Sequence, residues 1–195
     1  MRHIQISRNT NETKISLELN IDGTGKSEIK TGCGFLDHML TLFASHGKFD
    51  LEISCKGDTE VDFHHTVEDI GICLGKAFFQ TLSDKKGLTR YGSFILPMDE
   101  ALILTAIDFS GRAYLNWDIN ILPQKVGDFD TELAQEFWLG FIRNAQCTIH
   151  FKQLAGTNAH HIIEGAFKSI AHSIRQAVKI DPEFADDIPS TKGTL

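Results

Sequence analysis

The sequence predicts an α+β protein made by internal duplication of a small sheet-plus-helices unit, the two copies packed together. Three observations carry that prediction. The frame His64-His65-Thr66-Val67-Glu68 returns as His160-His161-Ile162-Ile163-Glu164. Each frame opens a run of apolar residues at helical spacing, and each is preceded by stretches of strict polar and apolar alternation, the pattern of strands with one wet face. Other polar residues keep the same register, because Glu12 and Glu100 each stand eight residues before Asn20 and Asp108, which open glycine turns.

Taken in order, residues 2 to 8 and 13 to 21 alternate as strands, with turns at Asn9 to Glu12 and at Asp22-Gly23-Thr24-Gly25. From Gly34 to His46, Phe35, Met39, Leu42 and Phe43 recur at helical spacing, and Gly47 predicts the stop. Residues 49 to 55 read as a strand, and Lys56-Gly57-Asp58 turns the chain. Asp62 reads as the N-cap of a helix with the core stripe Val67, Ile70, Leu74, Phe78 and Leu82.

After Gly87 the pattern restarts. Residues 100 to 108 and 113 to 121 read as strands around a Ser110-Gly111-Arg112 turn, and a helix runs from about Thr131 to Asn144. A strand follows at Cys147 to Lys152, then a turn at Gly156, an N-cap at Asn158 and a helix with the stripe Ile163, Phe167, Ile170, Ile174 and Val178. The boundary falls near residues 86 to 96. This gives a first half of residues 1–90 and a second of 91–195, whose C-terminal tail is read as substrate-binding.

Composition narrows the function classes. With 42% hydrophobic and 23% charged residues, 195 residues are enough to bury a sizeable core. A formal charge of −7 argues against general affinity for nucleic acid or anionic membrane, while leaving room for a local basic pocket. No apolar run approaches a membrane span and no signal or transit segment is evident, so cytoplasm is expected. Cys33, Cys55, Cys73 and Cys147 show no paired spacing and read as reduced thiols outside the metal chemistry.

The repeated frame carries that chemistry. On a helix, residues i and i+4 share a face, so His64 with Glu68 and His160 with Glu164 can each grip a cation, while His65 and His161 point about a quarter turn away. Imidazole with carboxylate suits Mn, Fe or Zn, and the duplication points to a two-metal site assembled from both halves. The halves differ at Lys168, four residues after Glu164, where the first helix has Ile72. A cation at one end of a ligand suits a phosphate tail, with Arg90, Arg112 and Ser190-Thr191-Lys192 as further donors.

In fixed order, Gly34-Phe35-Leu36-Asp37-His38-Met39-Leu40, Ser45-His46-Gly47, both His-His frames, Asp99-Glu100-Ala101-Leu102, Asp108-Phe109-Ser110-Gly111-Arg112, Gly127-Asp128-Phe129-Asp130-Thr131 and Pro189-Ser190-Thr191-Lys192-Gly193 resemble the imidazoleglycerol-phosphate dehydratases of histidine biosynthesis. The resemblance spans nearly the whole chain. It implies two fused units like ribosomal protein S5 domain 2, two Mn²⁺ per active site, and a homo-oligomer of 24 subunits with shared sites. By matched position the metal ligands are His38, His64, His65, Glu68, Glu136, His160, His161 and Glu164. Many relatives carry histidine where this chain has Glu136, and a carboxylate there would make the site harder and more negative.

The reaction implied is loss of water from imidazole glycerol phosphate, giving imidazole acetol phosphate. Glu12 matches the acid/base position and, with Glu68 and Glu164, makes up the catalytic carboxylates. Substrate contacts fall to Glu12, His38, His64 and His160, and phosphate contacts to Arg90, Arg112, Lys168, Ser190, Thr191 and Lys192. Two other classes remain open on the residues alone. One is a dinuclear-metal hydrolase, against which stands the absence of an HExxH order. The other is a non-enzymatic metal-binding helical bundle, which expects four long helices with the order Glu-x-x-His.

Overall fold

The computed structural model describes residues 2–195. The first half runs β1 (His3–Asn9), β2 (Thr13–Asn20), β3 (Ser27–Lys30), α1 (Gly34–Gly47), β4 (Asp50–Gly57) and α2 (His64–Leu82). The second runs β5 (Tyr91–Met98), β6 (Ala101–Asp108), β7 (Tyr114–Asp118), the short β8 (Lys125–Val126) and β9 (Phe129–Asp130), α3 (Leu133–Ala145), β10 (Thr148–Ala155) and α4 (Ala159–Ala177). The sheets are ordered β1-β2-β4-β3 and β5-β6-β10-β7, with β3 parallel to β4 and β7 parallel to β10 and the other pairs antiparallel. One topology therefore occurs twice, as the doubled frame requires. Two four-stranded sheets are also what a helical-bundle metal-binding protein would lack.

Two readings of the sequence need correcting here, and one strand went unread. The strand expected at 113 to 121 is present but shorter, Tyr114–Asp118, and the turn before it does not set it beside β6, because β10 lies between them. Strand β5 escapes alternation reading because Gly92 and Pro97 interrupt it, and proline is tolerated there since β5 is an edge strand. Gly47 does not stop α1 by its handedness. It is the last helical residue, Lys48 takes the left-handed turn at φ 59°, and a Cβ on Gly47 would lie 2.2 Å from the Phe49 ring.

Each principal helix contact joins the two halves: α1 packs on α4, and α2 on α3. The α2 and α3 backbones come close enough that a Cβ at Gly71 or Gly75 would lie 2.3 Å from the carbonyl oxygen of Phe137 or Phe141. Both core stripes are buried as their spacing demands. At the centre Trp138 is fully buried, with ring centroids 4.9 Å from Phe137, 5.1 Å from Phe167 and 5.4 Å from Phe141 and Phe151.

The outward face of the first sheet is polar. In one lateral row Gln5, Glu18, Glu52 and Glu28 stand abreast across β1, β2, β4 and β3. His3 meets Glu18 at 2.7 Å and Lys30 meets Glu28 at 2.6 Å, whereas Glu52 between them has no ion-pair partner among the described residues. The matching face of the second sheet carries the exposed Tyr91, Ile95 and Tyr114 instead.

Candidate metal centre

The two His-His frames sit at helix starts because a side chain just upstream supplies an acceptor for the first free amides. Asn158 is the N-cap of α4, its Oδ1 accepting from the backbone N–H of His160 at 2.9 Å and of His161 at 3.3 Å. On α2 the corresponding residue, Asp62, accepts from His64 at 2.7 Å, although Phe63 occupies the cap position itself.

Across the α1–α4 seam, His38, His160 and Glu164 each bring a ligand atom within 4.8 Å of the other two. Both imidazole Nε2 atoms converge on one oxygen, Glu164 Oε2, at 3.3 Å from His38 and 3.1 Å from His160. Its other oxygen pairs with the ammonium of Lys168, which also lies 3.7 Å from Met98 Sδ. Glu164 is buried and both histidines are half exposed, so the trio opens outward from a dry base. Burial alone would raise the Glu164 pKa, but Lys168, His160 and His38 together pull it below the ordinary carboxylate value. Two imidazole nitrogens and a carboxylate oxygen at this spacing are a donor set for a borderline divalent cation.

The other expected ligands do not join this trio. His64, Glu68 and Glu136 lie along the α2–α3 seam, half-buried, as the counterparts of His160, Glu164 and His38. Two carboxylates stand there where the other seam has one carboxylate with two imidazoles, and like charges resist convergence. His65 and His161 point elsewhere, each with Nδ1 against a carboxylate. His65 meets Asp58 at 3.0 Å, and His161 meets Glu100 at 2.7 Å. Both contacts raise the imidazole pKa, and Glu100 is held down to about 2 by His161 and the Asn158 amide, with the Thr157 amide adding to them. Glu12 stands in the first hairpin with its carboxylate 3.8 Å from His65 Nε2.

Behind Glu12, the buried Asp69 accepts from Thr13 Oγ1 at 2.5 Å and pairs with Arg8 at 2.8 Å, tying β1 and β2 to the start of α2. Sequence reading passed over this clamp and took Asp58 only as a turn residue. The available signal was a carboxylate at the end of a strand just before the first frame.

The expected phosphate donors divide. Lys168 is beside the trio, but Arg90 is at the far end of α4, where its amide donates to the Ala177 carbonyl at 2.9 Å. Its guanidinium grips Asp108 at 2.7 Å and the Pro189 carbonyl at 2.8 Å. The tail lies here too, with the Leu195 backbone against Gly111, next to Arg112. Ser190 Oγ accepts from the Lys192 amide at 3.2 Å, and Thr191 lies exposed between them. From Glu164 to Ala177 the helix rises on the order of 20 Å, so this cluster and the trio of one chain cannot hold the same small molecule.

Comparison with known proteins gives the family. A family model described as imidazoleglycerol-phosphate dehydratase matches residues 31–174. A protein of that name from Azorhizobium caulinodans is 53% identical over 100% of this chain and 99% of its own length, and one from Prochlorococcus marinus is 49% identical over 100% and 97%. Among solved structures, the imidazoleglycerol-phosphate dehydratase of Staphylococcus aureus superposes with a TM-score of 0.84 at 38% identity, covering 92% of this chain and 99% of the other. The Pyrococcus furiosus structure gives 0.84 at 42% identity, covering 97% and 100%. With full-length relatives near half identical and the same fold, the chain belongs to the imidazoleglycerol-phosphate dehydratase family.

Proposed function

We propose that the protein is a metal-dependent dehydratase that removes water from imidazole glycerol phosphate to give imidazole acetol phosphate, in histidine biosynthesis. The observation that carries this reading is the convergence of His38, His160 and Glu164 at the α1–α4 seam. His64, His65, Glu68, Glu136 and His161 complete the ligand set, for two Mn²⁺ per site. Bound ions would stabilise the deprotonated imidazolate form of the ring, which is the better electron source, and would make the C–H beside a held hydroxyl more acidic.

The chain's own groups do the rest. Glu12, exposed beside His65, is placed to move the C–H proton. Arg90, Arg112, Ser190, Thr191 and Lys192 anchor the phosphate, with Lys168 reaching it from the trio's side, and a fixed phosphate orients the reacting carbons. Because the anchor cluster and the trio lie at opposite ends of α4, one substrate needs the trio of one chain and the anchor of another. That requirement supports a homo-oligomer with shared sites, of 24 subunits in this reading. No helix among the described residues is long and apolar enough to cross a membrane, and a cytoplasmic setting suits the pathway.

The test is to strip the protein of metal, assay it on imidazole glycerol phosphate and add Mn²⁺ back. Turnover should vanish and return. Undiminished turnover after stripping, or none after Mn²⁺ is restored, would overturn the reading.

A further inference from the structure

The duplication places Glu12 and Glu100 at the same point, each directly before the second strand of its half. Their surroundings differ. Glu100 Oε2 takes the Nδ1 of His161 at 2.7 Å, and Oε1 accepts from the amides of Asn158 at 2.8 Å and Thr157 at 3.2 Å. In the first half the Nδ1 of His65 is taken by Asp58 instead, at 3.0 and 3.2 Å, and Glu12 is left with no side-chain hydrogen bond among the described residues. An ionised carboxylate only accepts, so in both pairs Nδ1 carries the proton and Nε2 is the free lone pair.

The second half has no carboxylate at the point where the first half has Asp58. Gly57 pairs with Thr13, and a Cβ on it would meet Thr13 and Thr66. A Cβ on Gly156 would meet Ala101 and Ile162, the matching residues of the second half, so Gly156 is the counterpart of Gly57 and Thr157 stands where Asp58 does. A threonine hydroxyl cannot replace a carboxylate, and Glu100 takes the histidine instead.

We propose that Asp58 and Glu100 are positioning residues that hold His65 and His161 with Nε2 presented to a metal, and that Asp58, by taking this task in the first half, leaves Glu12 free to transfer protons. The proposal rests on the dehydratase reading above and assigns the residues behind two of its ligands. It also accounts for the use of one hairpin glutamate in chemistry and its twin in support. Carboxylates that orient ligand histidines in this way typically govern metal affinity by about ten- to a hundredfold.

The experiment titrates metal-stripped, full-length protein with Mn²⁺, following free Mn²⁺ by electron paramagnetic resonance, for the wild type and for Asp58→Ala, Asp58→Asn, Glu100→Gln, Glu100→Ala and Glu12→Ala. Asp58→Ala and Glu100→Ala should weaken Mn²⁺ by about ten- to a hundredfold. Asp58→Asn and Glu100→Gln keep an acceptor oxygen and should lose less. Glu12→Ala should bind Mn²⁺ as the wild type does. Turnover of Asp58→Ala should recover as Mn²⁺ is raised, by mass action, while that of Glu12→Ala stays low at every concentration. The Asp58 side chain bonds only His65 among the described residues, so it decides the matter if Glu100→Ala fails to fold. Wild-type affinity in Asp58→Ala, or an equal loss in Glu12→Ala, overturns the proposal. A wild type that binds no Mn²⁺ overturns the metal reading beneath it, and shows this before any variant is made.

Discussion

Single side chains in this fold take their roles from one or two partners, and Asp50 shows this away from the metal centre. Its Oδ1 accepts from the amides of Thr24 at 2.8 Å, Lys26 at 3.0 Å and Gly25 at 3.1 Å, and these contacts hold its pKa below the ordinary 3.8. A depressed carboxylate stabilises fully above its unfolded value and loses that contribution as pH falls through its folded value. Amide exchange protection at Thr24, Gly25 and Lys26 should therefore persist down to about pH 4 and collapse below it. Asp50→Asn should exchange faster already at neutral pH, and unchanged protection in that variant would refute the role. At this scale the sequence was informative about residue type and silent about partner. The His160–Glu164 pair was legible from i, i+4 spacing, while His64 and Glu68, at the same spacing, make no such contact among the described residues. The contact of His38 with Glu164 joins α1 to α4 across the duplication, and no local pattern encodes it.

Elements were legible where one physical period dominates. The α2 and α4 stripes follow the helical period because each helix has one face on its sheet. Edge strand β5 and the two-residue strands β8 and β9 were not, since proline, glycine and brevity leave no period to read. The glycines of α2 are an element-scale feature with a sharp consequence. On an open helix surface Gly→Ala stabilises by about 1 kcal/mol. At Gly75 the new methyl would meet the Phe141 carbonyl oxygen at 2.3 Å and the Asn144 Cβ at 3.0 Å. Gly75→Ala should therefore destabilise by about 1–3 kcal/mol, read as a lower urea midpoint with unchanged slope. A stabilised variant would show that α2 and α3 are not in close backbone contact.

At the scale of the whole molecule, the separation of the anchor from the trio makes a functional site a property of more than one chain. Arg90→Ala and His160→Ala should each abolish turnover alone. Co-assembled in equal amounts they should recover activity, because about a quarter of the shared sites then draw an intact trio from one parent and an intact anchor from the other. A mixture as inactive as its components would argue against shared sites. The doubling of the unit was legible in the sequence because both frames and the hairpin glutamates kept their spacing. The distance between trio and anchor was not, because it depends on the length of α4 and on where the tail comes to rest. The row of three glutamates across the first sheet has its own bearing on the intact protein. With Glu52 unmatched and a net charge of −7, repulsion between like groups outweighs the exposed pairs that flank them. Raising sodium chloride from 0.01 to 1 M shortens the Debye length from about 30 to about 3 Å, so the melting temperature should climb with ionic strength rather than fall.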